Sequence, residues 1–440
     1  MNLILSESRK LRFFTFTMLY LAQGFPFGLV NTALPAYLAE QGHSAFAIGS
    51  FIGFANLPWS FKLLAGPFMD RWTFLAMGRR RPWVIFAQCC MVLTGLAFIL
   101  FPGGLSNVSL LAMLCFSLNV FGASQDVAVD GMAIDVLPPE EHGRANAFMA
   151  FGQVAGISIS TAVSAVVVIN YGMTGIALLL ALAFGLILTV AVLVIERPGE
   201  KMLPWLPGST SQRSIDMKPD SWKSIVLDLK RVMLLPASLF IFGAAFIFRF
   251  AYGVWISLVP IVVVQDLGFE STDYSTFISG VGFVAAMAGL ALGLVIDRKG
   301  VKFFYALVLG LYGLLCIFIA MMESSWSSPR FLVTIGIIQA FIYQGGFISF
   351  IASCMKLCWQ KVSATQFAIY MAGANIGLSM GAGTYAALES TLSSSQMFIA
   401  LGMVFFVGVL VVWLTDFGTH DQKVKLLDEP GKTGDFAPHA

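Results

Sequence analysis

Apolar residues in this chain fall in long blocks, each closed by a charged cluster or by Pro and Gly, with no sustained alternation of apolar and polar positions. A helix needs about 20 mostly apolar residues to cross a bilayer. Blocks of that kind lie near 12–38, 45–70, 82–101, 108–136, 145–170 and 173–195, and after a polar interval near 236–265, 274–296, 302–322, 330–355, 363–389 and 395–415. The pattern predicts an all-α, polytopic membrane protein with 12 transmembrane helices. A six-helix bundle is expected over 1–195, a cytoplasmic linker over 196–235, a second six-helix bundle over 236–415 and a polar cytoplasmic tail over 416–440. The first block follows Arg9, Lys10 and Arg12 and exceeds the 7–15 apolar residues of a signal-peptide core, so it reads as a helix.

Composition agrees: 58% of the 440 residues are hydrophobic and 11% charged, where a soluble domain carries about 25% charged residues. No length remains for a large catalytic domain. The chain has no phosphate-binding loop, no nucleophile elbow and no zinc-ligand spacing, so no enzyme, cofactor or metal is expected. All six cysteines lie in apolar blocks and read as small packing residues, Cys354 and Cys358 included, since no His lies near them. Net charge is +2, from 26 Lys and Arg against 24 Asp and Glu, which points to no nucleic-acid partner. A monomer in the lipid bilayer is expected.

Charge placement says more than charge balance. With the N-terminus inside, 23 of the 26 basic residues fall in cytoplasmic loops or tails, as the positive-inside rule requires, and Lys62, Arg249 and Arg330 are the exceptions. Both termini are then cytoplasmic. In the linker, Trp222, Ile225, Val226, Leu229 and Met233 have helical apolar spacing opposite Lys223, Lys230 and Arg231, which reads as a helix on the membrane surface. The tail from Asp416 is polar and is expected to be disordered.

An internal repeat is visible. Gly66, Asp70 and Arg71 form Gly-x-x-x-Asp-Arg after the second block, and Gly293, Asp297 and Arg298 form the same motif after the eighth, 227 positions later. Ala147, Gly152 and Gly156 likewise pair with Ala368, Gly373 and Gly377 at an offset of 221. Asp70 and Arg71, with Arg79, Arg80 and Arg81 after the turn and Asp135 at the end of the fourth block, are expected to form charge pairs at the cytoplasmic face. Such pairs either latch a gate or merely fix topology.

These features resemble the major facilitator superfamily, whose loop signature is Gly-x-x-x-Asp-Arg followed by basic residues. Closer similarity is to the muropeptide permease (AmpG-like) and acetyl-CoA transporter family, carried by Gln23–Leu29, Phe61–Arg71, Gly78–Trp83, Ala123–Asp130, Asp135–Pro138 and Ser363–Ala368. Tyr20–Gly24 is also similar to bacterial siderophore permeases. The resemblance implies a major facilitator fold in the cytoplasmic (inner) membrane and proton-coupled import of a solute such as a cell-wall muropeptide. Alternatives are a siderophore permease, an acyl-CoA carrier, or a membrane receptor or scaffold that kept the fold.

Four charges, Lys62, Asp126, Asp130 and Arg249, lie deep within blocks rather than at their ends, and a charge at a helix centre costs about 2.5–3.5 kcal/mol on insertion scales. Lys62 lies eight residues from Asp70, about 12 Å deep, and Asp130 lies seven from Leu137, about 10 Å deep, so they can meet. Asp126 is one turn from Asp130, with Asn119, Gly122 and Ala123 on the same face and Gln125 beside them. One lysine cannot neutralise two carboxylates. Either the group is a static ion pair, or Asp130 or Asp126 carries a coupling proton with Lys62 as its charge partner. Arg249, with Tyr252 and Trp255 farther along its block, either holds an anionic solute group or caps carbonyls of a neighbouring helix. Gln23, Gln344 and Asn375 either line the same cavity or join helices.

Overall fold

The computed structural model describes residues 3–41, 45–101, 103–218, 221–268, 271–388 and 390–428. All twelve predicted blocks fall on helices. Helix α1 (Arg9–Gly28) runs through a π-helical turn into α2 (Leu34–Glu40), and α3 (Ala45–Phe61) is joined to α4 (Ala65–Arg71) by a 3-10 turn over Lys62–Leu64. Next come α5 (Arg81–Ala97), α6 (Val108–Val136) and α7 (His142–Leu193). Gly172, at φ 56° and ψ −145°, divides α7 into two spans at the predicted boundary. The linker holds α8 (Gln212–Asp216) and α9 (Trp222–Met233). Then follow α10 (Pro236–Pro260), α11 (Ser271–Lys299), α12 (Val301–Met321), α13 (Pro329–Lys356), α14 (Ser363–Leu388), α15 (Ser394–Leu414) and, in the tail, α16 (Phe417–Asp428). Among the described residues nine stretches are long and apolar enough to cross a membrane, and one of them, Pro139–Leu193, contains two spans.

Local chemistry explains the starts. The Ser8 hydroxyl accepts from Leu11 N at α1, Asn107 Oδ1 accepts from Leu110 N at α6, and Ser393 with Gln396 forms a capping box at α15. Proline stands in the first turn of α5, α10 and α13, where its missing N–H costs nothing. The exterior is apolar: in α7, Leu178, Leu182 and Leu186 are exposed at four-residue steps, while Leu180, Phe184 and Ile187 on the other side are buried. That inversion suits lipid contact.

Two compact units are present, one of Met1–Ile225 with Ala286–Leu294 and Ser363–Ala368, the other of Val226–Ala285, Val295–Val362 and Ile369–Ala440. In each, glycines stand where two helix backbones meet. In the first, a Cβ on Gly28 of α1 would lie 2.5 Å from the Ile157 carbonyl oxygen of α7, and Gly152 and Gly156 of α7 lie against the Thr17 and Leu21 carbonyls. In the second, a Cβ on Gly377 of α14 would lie 2.6 Å from the Phe246 carbonyl oxygen of α10, and Gly381 lies against that of Phe250. With no hydrophobic drive between helices in lipid, this backbone approach supplies the packing.

The start of the linker is ordered. Strand β1 (Leu3–Ile4) pairs in parallel with β2 (Val194–Ile195), a small β element in a chain expected to be all helix. Beyond it the buried Glu200 carboxylate accepts from Arg197 N (3.0 Å), Ser211 Oγ (3.0 Å) and Ser214 Oγ (3.3 Å). Burial first, and then the neighbouring Glu196 charge, pushes the Glu200 carboxyl up to about 7. The tail departs from expectation: α16 is helical, not disordered. Asp416 caps it through Thr419 N (3.1 Å), and His420 Nε2 lies 2.9 Å from the Leu357 carbonyl oxygen, contacts a composition argument cannot see. Residues 429–440 of the tail lie outside the described residues.

Two outcomes are expected. Gly156→Ala forces α1 and α7 apart and abolishes a monodisperse peak in fluorescence-detected gel filtration, whereas Gly185→Ala, with open space around it, does not; equal behaviour of the two would refute the packing account. Because Glu200 binds its proton more tightly folded than at its ordinary 4.5, its contribution is fully present below pH 4.5 and is lost as pH rises to about 7. The thermal stability of the wild type relative to Glu200→Gln is therefore expected to fall across that window, and a constant difference would contradict the assignment.

Candidate functional site

Within the first unit, α6 turns a polar face toward α1 and the break in α3. Lys62, at that break, places Nζ 2.7 Å from Asp126 Oδ2 and 5.8 Å from the Trp59 ring centroid. Trp59 Nε1 donates to Asn119 Oδ1 (3.0 Å), and Asn119 Nδ2 donates to the Ala55 carbonyl (2.7 Å). Asp130 is arranged differently from expectation. Its carboxylate accepts a short hydrogen bond from the Tyr20 hydroxyl, both residues are buried, and no cation pairs with it among the described residues. Asp126 and Asp130 stand one helical turn apart on α6, and the ion pair at 2.7 Å is between Lys62 and Asp126. Gln125 Nε2 donates to the Leu19 carbonyl (3.0 Å), while its Oε1 and both amide atoms of Gln23 are buried with no partner among the described residues.

At the helix ends predicted to be cytoplasmic, the same unit holds a dense ionic cluster. Asp70, Arg79 and Arg80 have no solvent exposure, and Asp135 has 3%. Arg80 pairs with Asp70 and, through Nε at 3.1 Å, with Asp135; Arg79 reaches Asp70 at 3.2 Å and Asp135 at 3.4 Å. The segment Ser363–Ala368 closes the cluster. Ser363 Oγ donates to Asp135 Oδ1 (3.0 Å) and accepts from Arg80 Nη2 (2.9 Å), while Thr365 N (3.0 Å) and Oγ1 (2.6 Å) donate to Asp70 Oδ2. Asp70 thus caps the N-terminus of α14 from another helix. Gly66, on the turn before Asp70, lets α4 approach this segment: a Cβ there would lie 2.9 Å from Thr365 Cα.

A second carboxylate organises the basic loop. Glu196 accepts from the backbone N–H groups of Arg79 (2.9 Å), Arg80 (2.7 Å) and Arg81 (2.6 Å), capping α5. Gly78, at φ 102°, is needed twice over, since a Cβ there would also strike the Glu196 carboxylate at 2.7 Å. Two expected members stand outside the ionic pairs. Arg81 spends its guanidinium on carbonyls, those of Ala191 (3.0 Å) and Met202 (2.6 Å) among them, because it lies beneath the linker strand. Arg71, at the last turn of α4, pairs with none of the described residues. Of the repeated motif, Gly293 packs against Gly143 and Arg144 of α7, Asp297 is half-buried and Arg298 is exposed.

In the second unit, Arg249 Nη1 donates to Tyr343 Oη (3.1 Å), and its guanidinium lies 5.7 Å from the Tyr252 ring centroid. Tyr252 and Tyr343 stack with centroids 4.0 Å apart. No carboxylate pairs with Arg249 among the described residues. Trp255 is buried edge-on against Tyr312 and Phe398. Gln344 is buried on α13, its Nε2 with no partner among the described residues, and Asn375 is exposed on α14.

Reasoning from residue types missed Tyr20, Tyr343, Glu196, Ser363 and Thr365. Tyr20 and Ser363–Ala368 stood in runs noted for their resemblance, but a neutral hydroxyl carries no signal of burial beside a charge. Glu196 sits in a loop where an acidic residue is ordinary.

Comparison with known proteins agrees with this architecture. The family model described as Major Facilitator Superfamily matches residues 16–382 and 241–438. The anhydromuropeptide permease of Escherichia coli (strain K12) is 26% identical over 377 residues, covering 81% of this chain and 70% of that one. An uncharacterized protein of Schizosaccharomyces pombe is 31% identical over 165 residues, covering 36% of this chain and 31% of its own. Among solved structures, the human organic anion transporter MFSD10 is similar at a TM-score of 0.65 and 13% identity, covering 92% of this chain and 99% of that one. The E. coli fucose:proton symporter FucP gives 0.62 and 14%, with 92% and 98% covered. These two likenesses concern the fold. With a family model spanning most of its length and all twelve blocks on helices, the chain belongs to the Major Facilitator Superfamily and is a multi-pass membrane transporter, not an enzyme.

Proposed function

We propose that this transporter imports a medium-sized polar or anionic solute, such as a cell-wall muropeptide, together with protons, by alternating access across the cytoplasmic membrane with both termini inside. The observation that carries the reading is the division of two buried carboxyls between one lysine and one phenol. Lys62 offsets Asp126, which leaves Asp130 as the group whose charge a proton removes. Tyr20 suits that task in both states, because its hydroxyl donates to a carboxylate and accepts from a carboxylic acid. Burying an unpaired carboxylate is costly, so occluding the site favours loading the proton first. Arg249, free of any described carboxylate, is the anchor for an anionic group of the solute, and its planar fork fits carboxylate or phosphate.

The cluster of Asp70, Asp135, Arg79 and Arg80 with Ser363 and Thr365 is the cytoplasmic gate in this reading. A muropeptide heads the candidate solutes because the E. coli relative aligned over most of this chain is named an anhydromuropeptide permease. Ferric siderophores are the second candidate.

Right-side-out vesicles given labelled muropeptide or ferric siderophore, with and without an inward proton gradient, test the proposal. Gradient-dependent accumulation of muropeptide alone is expected, lost by at least tenfold in Asp130→Asn while exchange of solute without a gradient persists. If Asp130→Asn and Asp126→Asn both accumulate solute with undiminished dependence on the gradient, carboxylate coupling is wrong. Accumulation of the siderophore alone would replace the solute and keep the mechanism.

A further inference from the structure

The second unit contains a cavity of about 200 Å³ that the polar site does not use. Its walls include Trp255, Trp326, Phe331, Ile335, Gly336 and Gln339. Polar handles in the wall are spent internally: Gln339 Nε2 donates to Tyr312 Oη (2.6 Å) and Trp326 Nε1 to the Ile319 carbonyl (2.8 Å). Edge-on contacts of Trp255 and Trp326 with Phe398 fix both indoles. What faces the cavity is therefore a rigid surface of carbon. For scale, a dry cavity of about 150 Å³ lined by aliphatic and aromatic residues takes a benzene ring.

The cavity adjoins the arginine along α13. Tyr343, the hydrogen-bond partner of Arg249, Gln339 and Gly336 follow at four- and three-residue steps and so share one helix face. Tyr343 and Gln339 are about 6 Å apart along the axis. An anion-binding fork with no described counter-charge and an apolar chamber thus lie end to end in one unit.

We propose that this unit recognises an amphipathic organic anion, its carboxylate or phosphate on Arg249 and Tyr343 and an apolar acyl or aryl group in the chamber beyond Gln339. The inference rests on Arg249 being a solute anchor and narrows the solute class: a purely hydrophilic anion fills only half of the site. A group that fills an apolar pocket of this kind raises affinity by about tenfold or more over an analogue that lacks it.

Binding to the full-length protein in nanodiscs tests this with three probes: acetate, 4-phenylbutyrate and the uncharged 4-phenylbutanol. Calorimetry is expected to show 4-phenylbutyrate binding at least tenfold more tightly than either of the others. Arg249→Gln should bring it to the level of 4-phenylbutanol. Ile335→Phe, or Val259→Phe at another residue of the cavity wall where the first variant does not fold, should bring it to the level of acetate. Equal affinity for acetate and 4-phenylbutyrate, or no binding of any probe, overturns the proposal. So does 4-phenylbutanol binding as tightly as 4-phenylbutyrate with no effect of Arg249→Gln, since the chamber would then serve lipid chains alone. None of these readings uses a proton gradient, so failure of proton coupling leaves this result standing.

Discussion

A guanidinium or carboxylate that leaves water for the inside of a helix bundle has to meet its counter-charge there, and this requirement fixes the helix ends of the first unit. Asp70, Asp135, Arg79 and Arg80 form a buried cluster of two negative and two positive groups, with Glu196 holding the backbone of the arginine loop. Removing one partner from such a cluster costs about 3–5 kcal/mol, because the survivor is left charged and dry. A hydrogen bond to a charged group contributes about 1.5–3 kcal/mol. The ionic core is accordingly the permanent part, and the bonds from Ser363 and Thr365 are the part that a transport cycle of the proposed kind can break and remake. Basic loop residues alone would satisfy the topology rule without any buried partner, so their complete burial here goes beyond what orientation requires.

The glycine contacts and the charges follow different logics. Glycines stand at corresponding places in both units, α1 against α7 and α10 against α14, because each bundle has to bring two backbones together and has one inexpensive way to do so. Outside the Asp-Arg of the loop motif, the charges deep in the spans do not repeat. The first unit keeps Lys62, Asp126 and Asp130 within its spans, while the second keeps Arg249 among tyrosines. Shared packing with unequal charge is what remains when an ancestral repeat retains its scaffold and divides its chemistry.

Spans, their boundaries and the Gly-x-x-x-Asp-Arg repeat were legible in the sequence because the membrane imposes a length and a polarity on every helix. The Gly172 division and the depth match of Lys62 with the α6 carboxylates belong to the same class of inference. Pairing inside the site was not legible. Which of two carboxylates takes the lysine depends on the break at Lys62–Leu64; Pro58 and Gly66-Pro67 mark this stretch for a kink, since Pro67 has no N–H for the Leu63 carbonyl, but they do not say which carboxylate Lys62 then meets. Hydroxyl partners such as Tyr20 and Thr365 are invisible for a similar reason, since these residues serve equally well in lipid, in a core or beside a charge. The tail failed as a composition argument because a few specific contacts, Asp416 with Thr419 and His420 with Leu357, order a helix that is polar overall.

Charge balance bears on the direction of the chemistry. With every acid ionised, the charges deep within the described spans sum to one excess negative in the first unit, at Asp130, and one excess positive in the second, at Arg249. A proton cancels the first and a monoanionic group cancels the second. Solute and proton together then leave both sites neutral, the state in which closing a site against water costs least. A hydrophobic cation is attracted by Asp130 and repelled by Arg249, the Lys62–Asp126 pair being neutral as a whole. Under the transport proposed above, these charges suit an anion travelling with a proton.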